Sequence, residues 1–179
     1  MAVIVSLVII YTKVSSEPLF VSFFGETIKI INGSRMAFSP QIAASGGNVY
    51  VVWADKSTGY GDIYLKKITN NNTIFNSTLN LSNNHGNSTN PQIAASGGNV
   101  YVVWADDSGS ADGNGDVFFS SSTDNGTSFD KPTNLSNNHG NSTNPQISTS
   151  GSNVYVLWSD FLSTKTEINY KHIGIIGLK

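Results

Sequence analysis

The string NVYVVWAD fills residues 48–55, returns unchanged at 99–106 and returns once more as NVYVLWSD at 153–160. Alternate residues of an extended chain point to opposite sides. Val49, Val51 and Trp53 therefore share one face, and Tyr50, Val52 and Ala54 share the other. Neither face is polar. A strand that is apolar on both faces needs a layer on each side of it. Upstream of each copy lies PQIAAS or PQISTS, starting at Pro40, Pro91 and Pro145, joined to the apolar strand through SGGN or SGSN, which is a turn signal. Downstream, GDIYLKK at 61–67 matches GDVFFSS at 115–121 and the shorter TEINYK at 166–171. A fourth strand is expected near TIFNSTLNLS at 73–82 and TSFDKPTNLS at 127–136. The spacing of the copies differs by three residues, all in one loop, where KSTGYGD becomes DSGSADGNGD. An insertion confined to a loop is what a repeat array tolerates at its surface.

Four short strands at a period of about 50 residues, both faces covered, predict an all-β fold of propeller-type repeats. Each repeat is a four-stranded antiparallel sheet, and the chain holds about three blades. A β-sandwich is the runner-up. A closed propeller takes about four to eight blades, so three form an incomplete ring or half of a dimeric ring. The stretch ETIKIINGSRMAFSPQ at 26–41 aligns with the end of a fourth strand plus a connector. The order is then strand four, two whole blades, and strands one to three. Such an order suits head-to-tail homodimerisation or membership of a longer propeller. The peptide NLSNNHGNSTNPQI, identical at 80–93 and 134–147, is expected to be the connector that carries the chain from blade to blade. Its Asn, Gly, Ser and Pro residues supply turn geometry.

Residues 1–18 stand apart from the repeats. Their run of about ten apolar residues is too short for a stable membrane span and fits the apolar region of an export signal. No Lys or Arg precedes it and no clear small-residue cleavage site follows, so a first β-strand is the other reading. Export is preferred, with residues 19–179 forming the propeller segment at the cell surface or outside the cell.

Composition narrows the chemistry. Charged residues are 12% and the formal net charge is −2, so no basic field exists for nucleic acid. Cysteine is absent, which removes disulfides and thiolate metal sites. The run Asp112, Asn114, Asp116 spaces oxygen ligands at alternate residues, as calcium loops do, but lacks the following Gly and distal Glu of an EF-hand. A plain acidic turn is the competing reading. His85 and His139 occupy equivalent connector positions and read as polar loop residues rather than a metal pair. Trp53, Trp104 and Trp158 sit in the doubly apolar strand and read as core rather than as a sugar-stacking set. Eight Asn-x-Ser/Thr sequons occur, at Asn32, Asn71, Asn76, Asn80, Asn87, Asn125, Asn134 and Asn141.

At 122–129 the chain reads STDNGTSF. Ser122, Asp124, Gly126 and Phe129 fill the four marked places of the Asp-box pattern, between the third and fourth strands of their repeat. In the first copy, ITNNNTIF at 68–75 keeps only Phe75. On these residues the chain resembles the sialidase-like propellers with bacterial neuraminidase repeats, over about residues 35–171. The resemblance implies that the box is a structural hairpin on the side away from any catalytic pocket. Sialidases of that kind grip a carboxylate with three arginines, and this chain has Arg35 alone. Its repeated carboxylates, Asp55, Asp106 and Asp160 and then Asp62, Asp116 and Glu167, suit strand-end hydrogen bonding. No catalytic or cofactor-binding residue is assigned. The expectation is a non-catalytic binding or structural module recognising carbohydrate or a surface protein. The alternative is a sialidase-like glycoside hydrolase, either a fragment or one whose site an oligomer completes.

Overall fold

The computed structural model describes residues 27–33, 36–69, 77–109 and 113–174. Residues 1–18 lie outside the described residues, as do Asn71, Asn76 and Asp112. Three antiparallel sheets follow one another along the chain. The first has the order β1 (Ala37–Ser45), β2 (Asn48–Asp55), β3 (Asp62–Thr69), β4 (Leu79–Asn80). The second has β5 (Thr89–Ser96), β6 (Asn99–Asp106), β7 (Asp116–Ser122), β8 (Thr133–Asn134). The third has β9 (Asn141–Ser150), β10 (Asn153–Phe161), β11 (Thr166–Gly174). These are three blades of an incomplete β-propeller.

The face assignment made from the octapeptide holds. Tyr50, Val52, Ala54, Ile63 and Leu65 of the first blade pack against Val100, Val102 and Trp104 of the second. The opposite face of the second blade, Tyr101, Val103, Val117 and Phe119, packs against Val154, Val156 and Trp158 of the third. Both faces of β6 are thus interior, as a strand without a polar side requires. All three tryptophans are buried. The first strands lie side by side at the inner edge of the array, since each blade's neighbours are reached through β1, β5 and β9.

Two features depart from the sequence reading. The fourth strands shrink to two residues each, Leu79–Asn80 and Thr133–Asn134. Pro132 has no N–H to lengthen the second of them. Leu81 N and Leu135 N still donate to Ile63 O and Val117 O at 2.7 Å, which anchors the outer edge. The first strands begin earlier than PQI and carry a bulge. Ser39–Pro40 lies opposite Trp53, Asn90–Pro91 opposite Trp104, and Asn144–Pro145 opposite Trp158. Ser39, Asn90 and Asn144 take φ of 50°, 51° and 52°. Two residues facing one is the bulge geometry, and proline fits there because the ladder asks for no donor.

Candidate functional site

The register separates the molecule into two ends. The turns between first and second strands lie at one end with the Asp-box turn, because Val100 pairs with Ser122. The connectors and the loops between second and third strands lie at the other, because Asp106 pairs with Asp116.

At the first end, Ser122, Asp124, Gly126 and Phe129 come together as one turn after β7. Asp124 Oδ1 accepts from Thr127 N at 2.9 Å, Ser128 N at 3.0 Å and Ser122 Oγ at 2.7 Å. Its Oδ2 accepts from Ser128 Oγ at 2.6 Å. Gly126 N donates to Ser122 Oγ at 2.9 Å. Asn125 N donates to Gly98 O at 2.9 Å, tying this turn to the neighbouring hairpin. These bonds, those from Ser128 first, hold the Asp124 carboxyl far below its ordinary range. Phe129 packs on the core between the first two blades. Gly126 has φ +72°, and a Cβ there would stand 2.8 Å from the Tyr50 ring. Gly126→Ala is expected to cost about 1–3 kcal/mol in denaturant unfolding, through left-handed strain and overlap with a packed ring; an unchanged midpoint would show that the turn can move away.

At the second end, each copy of the connector is stapled by two carboxylates. Ser82 Oγ donates to Asp62 Oδ1 at 3.0 Å, within its own blade. Two to six residues on, the connector reaches the next blade. Asn84 Nδ2 donates to Asp106 Oδ2 at 2.8 Å and Ser88 Oγ to the same oxygen at 2.5 Å. Asp106 also accepts from Trp104 Nε1 at 3.0 Å and Ser108 N at 2.9 Å. The second copy repeats the pattern. Ser136 Oγ donates to Asp116 Oδ1 at 2.7 Å, Asn138 Nδ2 to Asp160 Oδ2 at 2.8 Å, and Ser142 Oγ to Asp160 Oδ1. Ser88 N and Ser142 N donate to Gly61 O and Gly115 O at 2.7 Å. Gly86 is confined as well, since a Cβ would come within 2.4 Å of Ser108 N. The duplicated peptide is a clamp between blades.

Burial works against ionisation of Asp106, but bonds from Ser108, Ser88 and Asn84 outweigh it and leave its pKa below the ordinary value of 3.8. A carboxyl with a depressed folded-state pKa adds stability above its unfolded value and loses it as pH falls. Asp106 and Asp124 both behave in this sense. The melting temperature is therefore expected to fall below about pH 4 and not before, followed by circular dichroism; a flat profile into acid would contradict the two bonding sets.

The remaining sequence candidates are placed as follows. Asp116 accepts from Ser136 and, at 2.8 Å, from Asn134 Nδ2. Asn114 Nδ2 donates to His139 O at 3.2 Å. Among the described residues no group of three or more His, Asp or Glu is arranged to hold a metal ion. His85 and His139 do not meet. His85 stands edge-on to Tyr60 at 6.1 Å, and His139 lies by Asn114, the residue equivalent to Tyr60. Between the second and third blades, Asn87, Thr89, Asp107, Asn141 and Thr143 line a polar groove of ≈ 140 Å³ over Asp106. Among the described residues no Lys or Arg lines it. Tyr60, 55% exposed, lies at the same end of the molecule with its ring against His85. The sequence reading missed this groove, because its walls come from two connectors and one loop that meet only in the fold. The identical NST at 87–89 and 141–143 was the signal available.

No protein-family model matches the chain, and no curated protein is significantly similar to it. Solved structures share its fold. An endo-arabinase from Bacteroides thetaiotaomicron is 12% identical with a TM-score of 0.55, over 78% of this chain and 56% of that one. A Trypanosoma rangeli sialidase in complex with sialic acid is 11% identical with a TM-score of 0.56, over 77% and 29%. The catalytic domain of a Coprinopsis cinerea GH62 α-L-arabinofuranosidase is 13% identical with a TM-score of 0.50, over 78% and 47%. The chain thus spans about half the length of the two arabinose-related enzymes and less of the sialidase. The likeness shows the propeller fold. No helix among the described residues is long and apolar enough to cross a membrane.

Proposed function

We propose that this propeller segment is a non-catalytic carbohydrate-recognition module, exported or displayed at the cell surface, which binds neutral oligosaccharide on the connector end. The observation that carries the reading is the groove over Asp106. Its walls offer amide and hydroxyl groups, suited to sugar hydroxyls, and the exposed Tyr60 ring at the same end of the molecule offers a stacking surface for a longer chain. A glycosidase acid needs a carboxyl held above its ordinary value, whereas Asp106 is held below and has its oxygens occupied by connector donors. Among the described residues the groove walls carry amides, hydroxyls and Asp107 with no Lys or Arg, which favours a neutral sugar over a sialic acid, whose carboxylate wants guanidinium partners. The structural neighbours named for arabinose-containing substrates and for sialic acid supply the probes.

Isothermal titration with arabinan fragments, xylo-oligosaccharides and sialyllactose tests the reading. Binding of a neutral probe is expected, weakened about tenfold by Tyr60→Ala, whose exposed ring carries no core packing. Failure of every neutral probe to bind would overturn it. Steady release of sugar from any probe would replace it with the hydrolase reading.

A further inference from the structure

The two joints between blades bury equivalent positions, and the two ends of the array leave several of them exposed. At the joint between the second and third blades, Tyr101, Val103, Val117 and Phe119 lie under Val154, Val156, Trp158 and Ile147. On the third blade the equivalents of the first set are Tyr155, Leu157, Ile168 and Tyr170. Leu157 is 44% exposed, Ile168 70% and Tyr170 64%, against 0% for Val103 and Val117. On the first blade the equivalents of the second set are Val49, Val51, Trp53 and Ile42, and Ile42 is 69% exposed. An apolar hollow of ≈ 280 Å³ lies there between Ile30, Ile31, Phe38, Pro40, Val51 and Trp53. The ends are thus the two halves of the joint the chain already makes twice.

Residues near Ile30 complete the correspondence. Lys171 of the third blade donates through Nζ to Leu135 O, in the fourth-strand segment of the blade before it, at 3.1 Å. Lys66, its equivalent in the first blade, donates to Ile30 O at 3.1 Å. Ile30 therefore sits where the fourth strand of a preceding blade belongs, and among the described residues no other strand of such a blade precedes it. The third blade has the opposite lack. Among the described residues β11 is its outer strand, with no fourth strand beside it.

We propose that a second copy of this chain closes the ring. Ile28–Ile30 of the second copy adds to the free edge of β11, and the exposed face of the third blade lies on the first blade of that copy. By the register of the complete blades, in which Tyr64 pairs with Asn80 and Phe118 with Asn134, Asn169 pairs with the second copy's Lys29. Charge agrees with this. In the second blade Asn134 donates to Asp116 across the third and fourth strands. At the joint between copies the same two positions hold Lys29 and Glu167, whose carboxylate already pairs with Lys165, so an ion pair shared between two lysines replaces an amide–carboxylate bond. Two copies make both joints alike and give six blades, a number that closes. The edge of β11 and both apolar end faces are covered in one step.

Light scattering of the full chain on a sizing column tests this, with circular dichroism as the check on folding. A mass twice the 19.1 kDa of the chain is expected. Glu167→Lys, at an exposed side chain, should weaken the dimer about tenfold, and the double change Lys29→Glu with Glu167→Lys should restore it. A monomer would overturn the proposal, and further blades from elsewhere would then be the cover for both faces. A dimer indifferent to both the single and the double change would overturn it equally.

Discussion

Asp106→Ala is expected to lower unfolding free energy by about 3–5 kcal/mol, read from urea unfolding at neutral pH. The carboxylate is buried, with four donors converging on it: Asn84 Nδ2, Ser88 Oγ, Trp104 Nε1 and Ser108 N. Its removal leaves polar groups of two blades without their acceptor inside the molecule, each costing about 1–3 kcal/mol before relaxation. Water entering the vacated space offsets part of the sum. A loss of this size is a large share of the 5–15 kcal/mol that holds an ordinary domain together. Ser88→Ala should cost less, about 1–2 kcal/mol, since the other donors keep the carboxylate paired. A change below about 1 kcal/mol for Asp106→Ala would mean that the blades hold together by apolar contact alone.

Trp104→Ala should be comparably severe, about 3–5 kcal/mol. The indole is fully enclosed, stacks on Phe118 at 6.3 Å and joins the core between the first two blades. The informative comparison is with phenylalanine. Trp104→Phe removes a donor from Asp106. Trp158 occupies the same place in the third blade, but its Nε1 is buried without a partner. There Asn169 Nδ2 takes the Asp160 oxygen that corresponds to the one Trp104 reaches. Trp158→Phe should therefore cost about 1–2 kcal/mol less than Trp104→Phe. Equal costs would remove the hydrogen bond from the account and leave volume as the whole effect.

Much of this architecture is legible in the residues. The octapeptide alone assigns Val100, Val102 and Trp104 to one joint and Tyr101 and Val103 to the other, because period-two alternation with no polar face admits one packing. The alignment of residues 26–41 with a strand end is matched by the contact from Lys66 to Ile30. The bulges were not legible. They depend on Ser39, Asn90 and Asn144 taking positive φ before a proline, a local choice that the alternation of apolar and polar residues does not carry. The two-residue fourth strands were overread because Leu79 and Leu81 suggest a longer ladder than the backbone forms. The staples escaped because their partners are far apart in sequence, Ser88 eighteen residues and Asn84 twenty-two from Asp106. A sign was present: Asp55 is preceded at the equivalent place by Ala37, so the serine accompanies only those carboxylates that follow a full connector. The polar groove remained hidden for the same reason, since its walls belong to three separate segments.

The most direct test of the clamp between blades is a double-mutant cycle on Asn84→Ala and Asp106→Ala, read by urea unfolding. The account predicts a coupling energy of about 1.5–3 kcal/mol, as expected for a hydrogen bond to a charged group. A coupling within about 0.3 kcal/mol of zero would mean that the duplicated connector does not hold the blades together, and the reason for its duplication would have to be sought in what it binds.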